Sequence, residues 1–158
     1  VSLDHKVKDW VSVAQLSLGT PYKWGGRDTI GIDCSALLQL SYQTYGENIP
    51  RNTSQQVKLK KKYIKNIEDL KRGCVVFWRG HVGIMIDKFN CIHANAFHMQ
   101  TKIEPLNQII NRIGKDFDIT KIIYYKNNYI LFCLRQRSRL HLDICFFLSS
   151  QSLQHLNF

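Results

Sequence analysis

One of the five cysteines, Cys34, stands where a thiol can become a nucleophile. It follows Asp33, and apolar side chains recur after it at three- and four-residue steps until Gly46. This pattern predicts a helix over residues 34–45 with Asp33 as its cap and Cys34 in its first turn. A helix N-terminus carries roughly half a positive charge, so we predict a lowered pKa for Cys34 and N–H groups that can hold an oxyanion. The alternative is a buried structural cysteine.

Two histidines could serve that thiol. His81 follows a tight turn at Arg79-Gly80 and opens an apolar strand, and His93 lies in the next extended run. Strand alternation places His93 beside His81 on the neighbouring strand. An imidazole has a pKa near working pH, which suits a general base. The pattern predicts a triad in which Cys34 is the nucleophile, His81 the general base and later acid, and His93 the residue that fixes the imidazole tautomer.

The elements that must position these residues are helices followed by strands. Helices are predicted over residues 6–18, 34–45, 51–62 and 105–113, and strands over 74–79, 82–87, 90–94, 98–103 and 119–125. This order predicts an α+β fold in which N-terminal helices, including the nucleophile helix, pack on an antiparallel β-sheet. Residues 1–126 form the predicted catalytic domain. Residues 127–158 do not belong to the pattern and are predicted to be a C-terminal extension of unknown role.

Length and composition set the broad class. A chain of 158 residues with 44% apolar residues is expected to build one core. Its odd cysteine count without a CxxC pair argues against a disulfide framework or a zinc site. No apolar run approaches the ~20 residues that span a bilayer. We expect a cytoplasmic monomer, with a periplasmic or secreted protein as the alternative if a leader precedes Val1.

The formal net charge of +10 raises the question of an anionic partner. Lysines cluster between residues 58 and 65, and such a cluster can bind nucleic acid or an acidic polymer. Tyr63 is the single aromatic residue interleaved with these lysines, which is too few to stack successive bases, so nucleic acid is not expected. A charge run of this kind is most often a solvated surface.

Five ordered segments carry a resemblance to a known family. The chain resembles the NlpC/P60 family of papain-like cysteine peptidases. The matching segments are Pro21 to Gly26, Asp33 to Ser35, Pro50 to Gln56, Gly80 to Gly83, and Ile92-His93. One departure is Arg72-Gly73-Cys74, where the family usually has Pro-Gly-Asp.

The resemblance implies a reaction and a substrate. It implies a papain-like fold and hydrolysis of the bond between D-γ-glutamate and a diamino acid such as meso-diaminopimelate in bacterial peptidoglycan stem peptides. The reaction passes through a thioester and requires no metal or organic cofactor. Intact stem peptides or their recycled fragments are the implied partners. Cys34, His81 and His93 match the catalytic positions of the family.

Three further residues match positions that surround the family's nucleophile. Tyr22 matches a tyrosine whose hydroxyl helps to stabilise the oxyanion, and Asp33 and Ser35 match residues that can bind a substrate amine. Two other functions stay open at this point. The same cysteine and histidines could serve an amidase or an acyltransferase, or the chain could be a non-catalytic module that binds cell wall or nucleic acid.

Overall fold

The computed structural model describes residues 7–113 and 118–126. The predicted extension over residues 127–158 lies outside the described residues. The helices are α1 (Trp10–Gln15), α2 (Cys34–Gln43), α3 (Thr53–Gln56) and α4 (Leu106–Ile113), with a 3-10 turn at Ile67–Asp69. The strands are β1 (Lys62–Tyr63), β2 (Cys74–Trp78), β3 (His81–Met85), β4 (Asn90–Asn95), β5 (Gln100–Pro105) and β6 (Lys121–Tyr124).

The strands form one antiparallel sheet in the order β1-β6-β2-β3-β4-β5. The four middle strands of the chain, β2 to β5, pair in succession as an antiparallel meander. β6 returns to lie between β1 and β2, where Ile123 pairs with Tyr63 on one side and with Val75 on the other. Helices followed by an antiparallel sheet confirm the predicted α+β fold.

β2 is buried on both faces of the sheet, which is why its sequence is apolar throughout. Val75 and Phe77 point into a core that includes α1 and α2, whereas Val76 and Trp78 point into a second core that includes α4. A strand covered on both sides has no polar alternation. Burial of each such side chain contributes about 1.5–3 kcal/mol to folding. The sheet is thereby a rigid support for the residues at its ends.

Three aromatic rings join the start of the described chain to its end. Trp10 packs edge-on against Tyr42 with ring centroids 5.2 Å apart, and Tyr42 packs edge-on against Tyr125 at 4.9 Å. The Trp10 indole Nε1–H also donates a hydrogen bond to the Lys126 carbonyl at 3.2 Å. These contacts fix α1 and α2 on the strand face beside β6.

The helix predicted over residues 51–62 is wrong beyond Gln56. α3 has four residues, and the lysine-rich segment that follows leads into β1. Val57 is still in the right-handed helical region, and the N–H groups of Lys58 and Leu59 donate turn hydrogen bonds to the carbonyls of Gln55 and Gln56 before the chain leads into β1. The first predicted helix is also shorter, since α1 ends at Gln15. Within the described ranges, no helix is both long and apolar enough to span a membrane.

Candidate active site

Cys34 is the first residue of α2 and is 7% exposed. Asp33 caps the helix in extended backbone conformation, and its Oδ1 accepts a hydrogen bond from the Ala36 N–H at 2.8 Å. An aspartate in this position satisfies one of the N–H groups that a helix leaves unpaired at its start. The predicted start of the nucleophile helix is therefore confirmed.

Cys34 lies against the beginning of β3. The ladder between β3 and β4 has two residue pairs and stops at Ile84–Ile92, although the ladder between β4 and β5 has six. Beyond the end of the short ladder, the Val82 N–H is directed at the Cys34 sulfur. Because Val82 directly follows His81, the structure brings the predicted nucleophile and the predicted base to the same end of the sheet.

His81 and His93 are in direct contact, as strand alternation predicts. The Nε2 atom of His81 lies 2.8 Å from Nδ1 of His93. The other ring nitrogen of His93 lies 2.8 Å from Oε1 of Glu104 on β5 and 3.1 Å from Nδ2 of Asn95. His93 is buried and is held on both sides, so its ring orientation is fixed by neighbours on three strands.

The pKa values of the two reacting groups move apart. Burial raises the pKa of the Cys34 thiol, and the Val82 N–H and the Thr53 hydroxyl oppose this rise without reversing it. The lowered pKa expected from the helix N-terminus is therefore wrong for this structure, because loss of water outweighs the helix charge. Burial lowers the pKa of His81 to about 3, and the charges of His93 and Arg112 add to this effect. At neutral pH the resting pair is a thiol and an uncharged imidazole.

Gly83 makes room for the Cys91 side chain, next to His93. A Cβ built on Gly83 would lie far inside van der Waals contact of the Cys91 sulfur and 3.7 Å from the His93 Cβ. Gly83 and His81 lie two residues apart on β3 and so face the same side of the sheet. The second glycine of the Gly-His-Val-Gly segment is thus explained by its packing against the Cys91 sulfur.

Asp33 is also the centre of an ionic network. Its two oxygens accept hydrogen bonds from Nη1 and Nη2 of Arg51 at 2.9 and 2.6 Å, and Oδ2 accepts another from the Gly25 N–H at 2.9 Å. The Ser35 hydroxyl lies 3.1 Å from Oδ1 and accepts from Arg51 at 2.7 Å. Burial alone would raise the pKa of Asp33, but the bonds from Arg51, the Ala36 N–H and the Gly25 N–H together lower it. Asp33 and Ser35 are therefore tied to each other and to Arg51, and their binding of a substrate amine stays a prediction.

The glycine-rich loop before α2 folds tightly over this network. Gly26 has no room for a side chain, because a Cβ would run into the Gly31 carbonyl, and a Cβ on Gly31 would meet the Lys23 side chain at 2.5 Å. The same loop supplies the Gly25 N–H to Asp33. The backbone of this loop therefore lies next to the site, where its immediate contact is with the capping carboxylate.

Tyr22 stands at the start of that loop. Its N–H donates to the Met99 carbonyl at 2.9 Å, and it forms a bridge with Ile32, two residues before the nucleophile. Burial raises the pKa of Tyr22, and the charges of Cys34 and Asp33 raise it further. The phenol therefore keeps its proton and can donate a hydrogen bond, as an oxyanion partner must.

A cleft of about 460 Å³ opens at Cys34. Its walls are Trp24, Gly25, Asp33, Cys34, Ser35, Arg51, Asn52, Thr53, Ser54 and Gly80. The Trp24 side chain is 81% exposed at the rim. Among the residues that the structure describes, no group of three His, Cys, Asp or Glu side chains is placed to hold a metal ion.

Sequence reasoning missed two parts of the site. Thr53 reaches the Cys34 sulfur from α3, although it had been noted only as part of a matching segment. Glu104 and Arg112 were not predicted at all. Glu104 stands out only once its pairing with Cys91, in an apolar run, is known, because an acidic side chain buried there must be paired.

The α+β fold with a cysteine at a helix N-terminus and a histidine pair on the adjoining sheet is the layout of a cysteine peptidase. Residues 19–112 match the NlpC/P60 family, and the chain belongs to that family. The resemblance carried by the five sequence segments is thereby confirmed.

Among curated relatives, the chain is similar to a probable endopeptidase NlpC homolog of Haemophilus influenzae, with 38% identity over 92 residues that cover 56% of the chain and 49% of the relative. It is also similar to a gamma-D-glutamyl-L-lysine dipeptidyl-peptidase of Bacillus subtilis, with 28% identity over 111 residues, 65% of the chain and 37% of the relative. The chain therefore spans half or less of the length of these two relatives.

Solved structures agree with the family and the fold. The chain is similar to the NlpC/p60 domain of the peptidoglycan hydrolase SagA, with 28% identity and a TM-score of 0.60 over 73% of the chain and 96% of that domain. It is also similar to an NlpC/P60 family protein from Bacillus cereus, with 26% identity and a TM-score of 0.64 over 74% of the chain and 39% of that protein.

Proposed function

We propose that this chain is a cysteine endopeptidase that hydrolyses the bond between D-γ-glutamate and a diamino acid, with meso-diaminopimelate as the expected residue, in peptidoglycan stem peptides. The observation that carries the proposal is the placement of Cys34 at the start of α2 beside β3, where His81 contacts His93. Family membership, a relative named as a gamma-D-glutamyl-L-lysine dipeptidyl-peptidase and a similar structure from a peptidoglycan hydrolase support the substrate class.

The first half of the reaction forms a thioester. The resting thiol and imidazole are uncharged, so the Cys34 proton passes to His81 as the sulfur attacks the amide carbon. The Tyr22 hydroxyl and backbone N–H groups at the start of α2 stabilise the oxyanion, at a few kcal/mol for each donor. His81 then gives the proton to the leaving amine while the carbon–nitrogen bond breaks.

The second half regenerates the enzyme. A water molecule loses a proton to His81 and attacks the thioester carbon, and the carbon–sulfur bond breaks as the sulfur regains a proton. The free carboxylic acid of the glutamyl product leaves. His93 keeps the His81 ring oriented in both halves, so we expect His93→Ala to slow the reaction without stopping it.

Mass spectrometry of L-Ala-D-γ-Glu-meso-diaminopimelate incubated with the full chain tests the proposal. We expect release of L-Ala-D-Glu and free diaminopimelate, and none with Cys34→Ala. Cys74→Ala is the matched control, because Cys74 is a buried free thiol in the other core and does not line the cleft. Equal cleavage by Cys34→Ala would overturn the mechanism. Transfer of the acyl group to an added amine instead of water would identify an acyltransferase.

A further inference from the structure

Glu104 is a buried carboxylate with partners on three sides. It lies on β5 with 5% exposure. Its oxygens lie 2.8 Å from Nε2 of His93, 2.9 Å from Nε2 of His98, and 2.6 and 2.8 Å from the two terminal nitrogens of Arg112. Burial alone would raise the pKa of Glu104, but the hydrogen bonds from Arg112, His98 and His93 together lower it to about 2. Glu104 is therefore an anion at every pH where the enzyme would work.

We propose that Glu104 is a positioning residue that sets which nitrogen carries the proton in His93 directly, and in His81 through His93. The inference rests on the proposed function, because it assigns a role in the same site. Glu104 touches neither the sulfur nor the cleft walls, so its influence on the reaction passes through the two rings.

The contacts fix the proton positions in sequence. An ionised carboxylate accepts hydrogen bonds and cannot donate them, so His93 Nε2 must carry a hydrogen toward Glu104. The Asn95 amide nitrogen, 3.1 Å from the same atom, is a longer and uncharged contact, and the charged one prevails. A neutral His93 then has a lone pair on Nδ1.

The second ring follows from the first. Since His93 Nδ1 accepts, His81 Nε2 must donate across the 2.8 Å contact. A neutral imidazole carries one proton, so Nδ1 of His81 keeps its lone pair. That lone pair is the basic atom that the attack by Cys34 requires. One carboxylate thus determines the tautomers of two rings in series.

Arg112 has a distinct part in this arrangement. Glu104 on β5 favours a second proton on His93. Arg112 on α4 and His98 in the turn after β4 oppose that proton. His81 faces His93 from β3. Burial lowers the pKa of His93, Glu104 opposes this shift, and Arg112 and His98 add to it, so the net direction is down. A charged His93 would present a hydrogen on Nδ1 to His81 and reverse the tautomer of His81. Arg112 thus keeps His93 neutral, the form in which its Nδ1 accepts a hydrogen bond from His81.

The tautomers can be read without any substrate. We expect ¹⁵N NMR of histidine-labelled wild-type protein at pH 7.5 to show a hydrogen on Nε2 and a lone pair on Nδ1 for both His81 and His93. The opposite tautomer at either residue would overturn the proposal. This measurement does not depend on turnover, so failure of the proposed function would be seen separately, as absence of cleavage in a protein with the expected tautomers.

Variants test the consequence for the rate. In Glu104→Gln the amide can donate a hydrogen bond to His93 Nε2, which would move the proton of His93 to Nδ1 and reverse the tautomer of His81. We therefore expect kcat to fall about 10- to 100-fold with KM changed less than about threefold. Glu104→Asp keeps the charge and should recover part of the loss. Glu68→Gln is the matched control, because Glu68 is an exposed carboxylate in the 3-10 turn. Wild-type kcat in Glu104→Gln, or an equal loss in the Gln and Asp variants, would contradict the proposal.

A second variant changes the charge opposite Glu104. Arg112→Gln leaves the carboxylate in place and removes the cation, so His93 should take up a proton at higher pH. We expect the acidic limb of the kcat/KM profile to move to higher pH, as would be measured on the tripeptide above. An acidic limb that stays at the wild-type pH would contradict the role assigned to Arg112. This measurement can still be made if Glu104→Gln does not fold.

Discussion

Arg51 forms a bidentate ion pair with Asp33, in which Nη1 lies 2.9 Å from Oδ1 and Nη2 lies 2.6 Å from Oδ2. The same carboxylate caps the helix that begins with Cys34. The segment before α3 is therefore joined to the nucleophile through a charge and a helix cap, and the stability of this corner of the fold depends on the pair.

Arg51→Gln should lower the free energy of unfolding by about 2–4 kcal/mol, because it leaves a largely buried carboxylate without its cation. Urea denaturation at pH 7 measures the change. Glu47→Gln is the control, since Glu47 pairs with Lys61 but is 50% exposed, and an exposed pair contributes about 1 kcal/mol or less. Equal losses in the two variants would show that the Arg51 pair has no special role.

Alkylation of Cys34 should be slow at acidic pH. Burial raises the pKa of its thiol above the ordinary value of 9.0, so the thiolate fraction grows only as the pH climbs past neutrality and toward that value. We expect the rate with iodoacetamide to rise continuously from pH 6 to pH 9. Subtraction of the Cys34→Ala rate corrects for other thiols. A rate that is constant between pH 5 and pH 8 would instead indicate a resting thiolate–imidazolium pair.

Gly83→Ala should destabilise the fold by about 1–3 kcal/mol, because the added methyl group meets the buried Cys91 sulfur. Cys91→Ala removes that sulfur, so the double variant should lose less than the sum of the single variants. The free energies of unfolding of the four proteins form a double-mutant cycle. Simple additivity in that cycle would mean that the contact with Cys91 is not the cause.

Stability should fall as the solution is acidified, in two overlapping ranges. The pKa of His81 is about 3 in the native protein and ordinarily 6.5, so the unfolded chain binds a proton that the native chain does not as pH falls through this range. The lowered pKa of His93 acts in the same direction. The pKa of Glu104, about 2 against an ordinary 4.5, adds a further loss below pH 4.5.

Urea denaturation from pH 7 to pH 3 measures this slope. We expect His81→Gln to show a shallower decline between pH 6.5 and pH 4.5, because the variant lacks one of the two imidazoles whose pKa is lowered in the native protein. An identical slope in the variant and the wild type would contradict the assignment of that decline to His81.

The fold was predictable where one local rule governs an element. The cap at Asp33, the glycine turn before His81 and the apolar strands all follow from short-range pattern, and the structure confirms them. The segment after Gln56 was not predictable in this way. Its lysines suit a helix by propensity, but pairing with β6 decides its conformation, and β6 lies about sixty residues further along the chain.

The site shows the same division. Residues that carry a recognisable chemical type at a recognisable spacing, such as Cys34 and the two histidines, could be proposed from the sequence. Glu104 and Arg112 could not, because their importance arises from the register of β5 on β4 and from the docking of α4. The pKa of Cys34 was missed for a related reason, since burial is a property of the whole fold.

The position of β6 has a consequence for how this protein is made. Because β6 separates β1 from β2 and the Tyr125 ring completes the aromatic contact with Tyr42, one edge of β2 stays unpaired until residues 121–125 are available. A ribosome must therefore release nearly all of residues 7–126 before the sheet can close. A nascent chain that stalls before β6 would present the apolar edge of β2 to other chains.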